Sequence, residues 1–170
     1  MKKNVQHVGS YRKNAPMDFK WYITGFVDGE GCFSVSFSMR SKLRTGIEVR
    51  PSFSVSQNKR SLAVLKDIQN YFDCGGLRYS KYDQTYKYEV RSIADLRKFV
   101  IPHFEKYQLQ TSKAEDFAKF SWICDQVSAS RHLNNDVLAE IIDRAYSMNN
   151  SGKRKYTKEK LLKVAGKKKI

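Results

Sequence analysis

The sequence has few of the residues that build disulfide frameworks, zinc sites and membrane spans. Its three cysteines, Cys32, Cys74 and Cys124, are far apart and form no C-x-x-C pair. This pattern argues against a disulfide framework or a structural zinc site, and for thiols in a reducing compartment. No apolar run approaches the ~20 residues that a membrane helix needs, and the polar N-terminus lacks the apolar stretch of a signal peptide. We therefore expect a protein that stays inside a cell or organelle and has no membrane partner.

Acidic residues are also scarce, because 17 Asp and Glu stand against 32 Lys and Arg and leave a net charge of +15. A domain does not need such an excess to fold, so the charge predicts a polyanionic partner. Charge alone does not separate a nucleic-acid enzyme from a basic ribosomal or chromatin protein. The 170 residues, 41% of them hydrophobic, suffice for one domain with a buried core and argue against a disordered chain.

The apolar pattern changes between helical and strand spacing along the chain and predicts an α+β domain. A first helix starts near Asp18 and ends at Gly29 to Gly31, where the period changes to two. Strands are predicted over residues 32–40, 47–56, 77–81 and 86–92, and further helices over 61–72, 93–107, 113–127 and 136–148. This order predicts an αββαββα unit with a four-stranded antiparallel sheet covered by helices on one face, plus C-terminal helices.

Local signals refine this outline and divide the chain. Pro51 in the second strand predicts a bulge or an edge position, because proline cannot donate to a sheet ladder. Ser61 is a candidate cap of the helix over 61–72, and Pro102 interrupts the helix over 93–107. We expect a basic N-terminal arm over 1–16, the domain itself over 17–148, and a basic linker, short helix and lysine tail over 149–170. The first helix has no second copy in the sequence.

The segment Ile23-Thr24-Gly25-Phe26-Val27-Asp28-Gly29-Glu30-Gly31 places two glycines four residues apart inside a helix. A glycine there costs ~1 kcal/mol relative to alanine, so a close approach of another helix is the expected compensation. The alternative is internal packing followed by a tight turn. On the first interpretation, a twin helix would pack against a face that we assign to five residues: Thr24, Gly25, Val27, Asp28 and Gly29.

Two carboxylates, Asp28 and Glu30, lie at the C-terminal end of this helix, where the helix dipole disfavours anions. A cation would reverse that penalty, and peptide carbonyls pointing the same way would help to bind it. Two copies of the helix end would form an oxygen-rich site suited to Mg²⁺. Mg²⁺ between carboxylates beside a basic surface is typical of phosphodiester hydrolysis.

The segment from Ile23 to Gly31 resembles the LAGLIDADG motif of homing endonucleases. The resemblance extends over roughly residues 17 to 125. It rests on Phe53-Ser54-Val55-Ser56-Gln57, the helix from Ser61 with the following Cys74-Gly75-Gly76, Tyr86 to Arg91, Leu96, Ile101-Pro102-His103-Phe104 and Lys113-Ala114-Glu115-Asp116-Phe117. It implies the αββαββα homing-endonuclease unit, whose saddle-like sheet forms the DNA-binding face.

Carried over by position, the resemblance implies that Glu30 is the metal-binding acid and that the Gly29 carbonyl is a second ligand. It implies two or three Mg²⁺ ions shared at a dimer interface, with Gln57 positioning water near the metal and Asp28 in a structural role. The family often supplies a lysine beside the site, and here that position holds Gln110. Either Lys113 substitutes for it from a neighbouring turn, or the site relies on Lys59 or Arg60.

The polar positions of the strands are the candidates for reading base edges in the major groove. They are Ser34, Ser36, Ser38, Arg40, Glu48, Arg50, Ser52, Ser54, Arg78, Ser80, Lys87, Glu89 and Arg91. An ordinary solvated face is the alternative for any single residue, and the register of the third strand is uncertain by one. Phosphate contacts are expected from Lys42, Arg44, Lys153, Arg154, Lys155 and the lysine tail, with the salt dependence of counterion release.

A single motif supplies one helix and one acid, whereas a double-strand cut needs two sites close together. The resemblance therefore implies a homodimer that makes a staggered cut in double-stranded DNA at a near-palindromic site. It implies an intron-encoded enzyme of a bacterial cytoplasm, chloroplast or mitochondrion, with no small-molecule substrate. The alternatives are an intron maturase, which binds RNA and assists splicing, a non-cleaving DNA-binding protein on the same fold, and a basic ribosome-associated protein.

Overall fold

A computed structural model describes residues 18–149 and 153–166. The predicted arm over 1–16, part of the predicted linker and the lysine tail lie outside the described residues. Of the predicted C-terminal segment, residues 153–166 are described.

The helices and strands follow the predicted order. The strands are β1 (Gly31–Met39), β2 (Ile47–Asn58), β3 (Gly76–Ser80) and β4 (Thr85–Val90), and the helices are α1 (Phe19–Glu30), α2 (Leu62–Phe72), α3 (Ile93–Asp95), α4 (Ile101–Lys106), α5 (Lys113–Ser128), α6 (Asn135–Tyr146) and α7 (Lys158–Ala165). Short 3-10 turns at Lys59–Ser61 and Arg131–Leu133 precede α2 and α6.

The four strands form one antiparallel sheet in the order β1-β2-β4-β3. Strand β2 pairs with β1 from Ile47 to Val55, but with β4 only from Phe53 to Asn58. Pro51 therefore lies in the half of β2 that has β1 as its partner but lacks β4, which is the edge position predicted for a proline.

One face of the sheet is covered by helices, and the core lies between the two layers. Phe33 and Phe53 stack with ring centroids 5.3 Å apart, and Phe104 meets both of them edge-on from the helical layer. Phe117 and Phe120 of α5 contact Phe33 from the same side. The opposite face carries the polar positions of the strands, so the sheet has one dry and one wet side, as alternation predicts.

Two predicted details of the helices need correction. Ser61 makes no capping hydrogen bond to α2; instead, the Asn58 side chain caps the preceding turn by accepting from the Arg60 amide at 3.1 Å. Pro102 does not break the helix over 93–107. It lies in the first turn of α4, where its missing N–H costs least, and a π-helical segment, Leu96–Val100, joins α3 to α4.

The helix at Lys158–Ala165 packs on the domain. Leu161 and Ala165 are fully or almost fully buried and belong to the hydrophobic core. Val164 lies near Gly46 in the turn between β1 and β2, where φ is +72° and an added Cβ would be 3.2 Å from the Val164 side chain. The C-terminal segment thus contributes a helix to the folded body.

Candidate active site and nucleic-acid interface

Helix α1 passes directly into strand β1, and this junction positions the candidate site. The Asp18 side chain caps the first turn of α1 by accepting from the Lys20 amide at 3.0 Å. At the other end, a Cβ on Gly31 would lie 2.5 Å from Val27 Cγ1 and 2.8 Å from the Val27 carbonyl oxygen. Only glycine fits this turn, so Gly31 fixes the direction in which Glu30 leaves the helix.

The glycines of α1 lie on its exposed face. Gly25 and Gly29 are exposed, and a Cβ on either would have no neighbour within 4 Å in the described chain. Trp21, one turn before Gly25, is 51% exposed. Internal packing therefore does not account for these two glycines, and a surface for another helix remains available.

The predicted interface is wrong for Thr24 and Val27, whose side chains point inward. Val27 is completely buried in the core, and Thr24 is 3% exposed. These two residues share the inner stripe of α1 with Ile23, because positions three or four apart lie on one face of a helix. Of the five residues assigned to the interface, Gly25 and Gly29 are the two classed as exposed, while Asp28 is half-buried.

The inner stripe of α1 is tied to α4 by a buried hydrogen-bond network around His103. The Thr24 hydroxyl donates to the Tyr107 carbonyl at 3.0 Å, so it must accept from Nε2–H of His103 at 3.2 Å. His103 Nδ1 then accepts from the Tyr71 hydroxyl at 2.9 Å. The imidazole is 5% exposed, and this burial lowers the pKa of His103 to about 4. The ring is therefore neutral at physiological pH.

At the C-terminal end of α1, the Lys113 ammonium group lies on the helix carbonyls. Its Nζ donates to the Val27 carbonyl at 2.9 Å and to the Gly29 carbonyl at 3.4 Å. Lys113 begins α5, so the chain returns more than eighty residues later to place a cation beside the predicted metal ligand. Of the three cations considered from sequence, Lys113, Lys59 and Arg60, Lys113 is the one whose side chain donates to carbonyls at this helix end within the described structure.

Asp28 anchors the loop that leads to Lys113. Its carboxylate accepts from the Thr111 hydroxyl at 2.6 Å and from the backbone amides of Gln110 and Thr111 at 2.9 and 3.2 Å. Partial burial alone would raise the pKa of Asp28, but these hydrogen bonds and the nearby Lys113 charge hold it below the ordinary value. The Thr111 hydroxyl in turn accepts from the Lys113 amide at 3.2 Å. Gln110, the departure from the family pattern, serves here through its backbone.

Gln57 lies near the same end of the sheet. Gly31, the first residue of β1, pairs with Val55, and Gln57 is two positions beyond this partner in β2. Its role in positioning water stays a prediction, which this register permits because Gln57 extends past the start of β1 beside the end of α1.

The oxygen donors at this helix end suit a hard cation. Glu30 is exposed, and the Gly29 carbonyl already attracts a positive charge in the form of Lys113. Carboxylate and peptide oxygens are the ligands that Mg²⁺ prefers. Within the described residues no cluster of three or more His, Cys, Asp or Glu side chains could hold a metal ion. A complete coordination shell therefore needs oxygens from outside this set.

The strand register brings the predicted base-reading positions onto one face. Ser34, Ser36 and Ser38 of β1 are opposite Ser52, Arg50 and Glu48 of β2, and the face continues into β4 and β3. The continuing pairs are Ser54 with Glu89, Ser56 with Lys87, Lys87 with Arg78, and Thr85 with Asn58 and Ser80. The predicted register of the third strand is thus confirmed. Sequence reasoning omitted Ser56, Asn58 and Thr85, although simple alternation places them on this face.

Several side chains of this polar face are already paired with one another. Ser34 and Ser52 share a hydroxyl hydrogen bond of 2.9 Å. Arg40 forms an exposed ion pair with Glu48 at 3.1 Å. Arg50 is exposed, and the Ser36 hydroxyl donates to its carbonyl at 3.3 Å. Arg44 is exposed in the turn between β1 and β2.

The predicted phosphate contact of Arg154 needs correction. Its guanidinium donates to the carbonyls of Ala145 and Met148 at 2.6 and 2.8 Å and stacks on the Tyr146 ring. Arg154 thereby caps the C-terminal end of α6, where a cation is favourable. Its neighbours Lys153 and Lys155 are exposed and keep the predicted role.

Comparisons with known proteins agree with this geometry. A family model described as LAGLIDADG endonuclease matches residues 23–124. Probable intron-encoded endonuclease 2 of Neurospora crassa is 36% identical over 129 residues, which are 75% of this chain and 28% of that protein. The chain spans 25–33% of the length of this and two further curated relatives. The described part of the chain holds no helix that is long and apolar enough to cross a membrane.

Solved structures give the same result for the fold. The crystal structure of a homing endonuclease, I-TnaI, is 35% identical and superimposes with a TM-score of 0.75 over 85% of this chain and 94% of that one. I-SmaMI, bound to an uncleaved DNA target in the presence of calcium ions, is 30% identical with a TM-score of 0.77 over 85% of this chain and 48% of that one. The predicted fold, a helix-covered four-stranded antiparallel sheet, is thereby confirmed.

Proposed function

The chain belongs to the LAGLIDADG endonuclease family, and from this premise we propose that it is a site-specific DNA endonuclease acting as a homodimer. The observation that carries the proposal is the exposed end of α1. There the open stripe of Gly25 and Gly29 leads to Glu30, and the Lys113 ammonium lies on the Gly29 carbonyl. A wet sheet face with polar and basic side chains continues from this end of the helix.

The dimer would form by packing two copies of α1 across a two-fold axis. Glycines allow helix backbones to approach closely, and the exposed indole of Trp21 would be covered in the same contact. The axis would bring two Glu30 side chains and two sets of helix-end carbonyls together. A two-fold enzyme reads a near-palindromic site and has one centre for each DNA strand.

Glu30 and the Gly29 carbonyl of both copies would hold divalent cations, with Mg²⁺ as the expected ion and two or three ions shared between the copies. When bound, such ions activate the attacking water and neutralise charge on the leaving oxygen of the phosphodiester. The presence of calcium ions in the DNA complex of I-SmaMI supports divalent binding in the family. Glu30 itself has no hydrogen-bond or ion-pair partner among the described residues, so it is free to become a ligand.

Lys113 would stabilise the charge that develops during cleavage. A fixed ammonium beside the reacting phosphate offsets the additional negative charge of the transition state, and it needs no rearrangement if it is already in place. Asp28 and Thr111 hold the first turn of α5 and so keep Lys113 at the helix end. Gln57 would orient a water molecule by hydrogen bonding.

The wet sheet face would lie in the major groove, where base edges carry a complete donor and acceptor code. Basic residues at its margins, including Arg44, Lys153 and Lys155, would contact phosphates and add sequence-independent affinity. The intron-encoded relatives support an intron-encoded gene here too. Its location in a bacterial cytoplasm or an organelle stays a prediction.

Cleavage of a randomised duplex library in Mg²⁺ tests the proposal, with the Glu30→Gln variant beside the wild type. We expect the wild type to enrich cuts at one near-palindromic sequence and Glu30→Gln to make none. Glu140→Gln is the matched control, because Glu140 pairs with Arg144 on the exposed side of α6, and it should cut like the wild type. A wild type that selects a sequence without cutting would instead support the non-cleaving protein, and RNA-dependent rescue of splicing would support the maturase.

The homodimer is tested separately by Gly25→Leu. A Cβ at this position has no neighbour within 4 Å among the described residues, so we expect the fold to persist while the helix contact is lost. We expect sedimentation velocity to report a dimer for the wild type and a monomer for Gly25→Leu. Ala118→Leu places the same leucine side chain at an exposed position of α5 and should remain dimeric. A Gly25→Leu variant that is still dimeric would overturn this interface.

A further inference from the structure

Glu89 lies near the middle of the polar sheet face and is unusually buried for a carboxylate there. Its side chain is only 15% exposed, whereas that of Glu48 on the same face is 37% exposed. Ser54 of β2, itself 4% exposed, is its partner on one side, and Gly76 of β3 is its partner on the other. Because Gly76 has no side chain, the carboxylate of Glu89 has room beside this strand.

Each carboxylate oxygen of Glu89 has its own cation. Oε2 is 2.9 Å from the Arg91 guanidinium, and Oε1 is 3.6 Å from the Lys87 ammonium. Lys87 and Glu89 share one face of β4, and Arg91 follows directly after the last residue of the strand, Val90. Both cations still reach solvent, since the Arg91 side chain is 58% exposed and the Lys87 side chain is 35% exposed.

A half-buried carboxylate on a surface that meets a polyanion repels that partner. It is favourable there only if it orients the cations beside it. The ion pair between Glu89 and Arg91 uses one nitrogen of the guanidinium group. A guanidinium group has five N–H donors in a fixed plane. A partner that holds this plane leaves the remaining donors available and lowers the entropy lost when they bind a base edge. Arginine bound to O6 and N7 of guanine is the commonest specific contact of this kind.

We infer that Glu89 is a positioning residue for DNA reading. It orients Arg91 and Lys87 for a guanine-containing step of the target and prevents them from binding phosphates indiscriminately. This inference rests on the proposed DNA-binding function, and it replaces the expectation that Glu89 itself reads a base edge. Sequence selectivity at this step therefore depends on a side chain that does not touch the DNA.

The test compares Glu89→Gln with Glu140→Gln, because both replace a glutamate by its amide and Glu140 lies on α6 rather than on the polar sheet face. Binding to the library-selected duplex and to an unrelated duplex is measured at several salt concentrations without divalent ions, so that no cut occurs. We expect Glu89→Gln to reduce the ratio of the two affinities about tenfold and to steepen the salt dependence on unrelated DNA by about one phosphate contact. Glu140→Gln should leave the affinity ratio within about twofold of the wild type, because the Arg144–Glu140 pair is exposed and lies on α6.

A double variant shows whether Glu89 acts through Arg91. In an Arg91→Lys background, which removes the planar fork from an exposed side chain, Glu89→Gln should cause little further loss of selectivity. If Glu89→Gln alone lowers the melting temperature, the comparison within the Arg91→Lys background still tests the inference, because a general loss of stability would lower selectivity in both backgrounds. Equal losses for Glu140→Gln and Glu89→Gln, or additive losses in the double variant, would overturn the inference. A wild type that binds no DNA would instead overturn the proposed function.

Discussion

Helix α1 is fixed in opposite ways at its middle and at its C-terminal end. Its inner stripe is held by the buried, neutral network of Thr24, His103 and Tyr71, whereas its C-terminal end is held by the charged, accessible contacts of Asp28 and Lys113. A buried network without charge stabilises the fold and stays shielded from solvent and ligand. A charged end at the surface adds little stability but can act on a phosphate or a metal ion. One helix thus separates a network that stabilises the fold from the groups to which we assign the chemistry.

The largest effect that this comparison predicts is on cleavage, at the charged end. Lys113→Met removes the ammonium but keeps a long apolar side chain, so we expect the fold to persist. Because a fixed charge at the reacting phosphate is lost, cleavage of the selected duplex should fall about 10²- to 10³-fold. Single-turnover cleavage and a thermal unfolding curve measure the two properties side by side.

Lys119→Met is the matched control for this prediction. Lys119 is also on α5, and its Nζ likewise donates to a backbone carbonyl, that of Ser147, at 3.3 Å. It is therefore the same type of contact at a distance from the helix end of α1. We expect Lys119→Met to cleave at nearly the wild-type rate. If both lysine variants lost the same activity, Lys113 would have a packing role and no catalytic one.

The second prediction concerns the stability that the buried network around His103 contributes and the dependence of this stability on pH. His103 has a folded-state pKa of about 4, whereas an unfolded histidine titrates near 6.5. As the pH falls from 6.5 towards 4, the unfolded chain therefore binds a proton that the folded chain does not. The stability contributed by the neutral imidazole is complete above pH 6.5 and is lost progressively across this window, by an amount on the order of 3 kcal/mol.

Urea unfolding at pH 7.0 and pH 4.5 checks this expectation. The free energy of unfolding of the wild type should fall between these two values, and His103→Gln should reduce that fall because its amide does not titrate. His103→Gln is also expected to be less stable than the wild type at pH 7.0. Identical pH profiles for the wild type and the variant would mean that His103 is not the group responsible. Cleavage at pH 7.0 by the folded variant should change much less than in Lys113→Met.

The strands and helix α1 differ in how well their faces could be predicted from the sequence. Strand alternation, a period of two, placed the polar face correctly, including Arg78 and Ser80. The faces of α1 were harder, because the motif was interpreted as a single unit. A period of 3.6 assigns Thr24 and Val27 to the stripe of Ile23 and leaves Gly25 with Gly29, so this error was avoidable.

Contacts between distant segments were beyond sequence reasoning. The position of Lys113 depends on how α5 returns to the end of α1, and neither segment encodes that distance by itself. The use of Arg154 as a cap similarly depends on a chain reversal after α6. The ion pairs of Glu89 are different, since Lys87 and Glu89 share one face of β4 and Arg91 directly follows the strand, so their proximity follows from the local sequence.

The smallest predicted effect concerns Asp28, which combines properties of the two parts of α1. Its carboxylate is half-buried and hydrogen-bonded, like the network around His103, but it is charged, like Lys113. Asp28→Asn keeps the shape of the side chain but faces an amide N–H₂ toward donors from Gln110 and Thr111, which should loosen the loop before Lys113. We expect the free energy of unfolding to fall by about 1 kcal/mol and cleavage to slow about tenfold. The loss of cleavage should be largely absent in a Lys113→Met background.

The stability due to the lowered pKa of Asp28 is lost only as the pH falls below about 4. Asp28→Asn should therefore leave unchanged the difference in free energy of unfolding that the wild type shows between pH 7.0 and pH 4.5. A full tenfold loss in the Lys113→Met background would show that Asp28 acts on the reaction independently of the lysine.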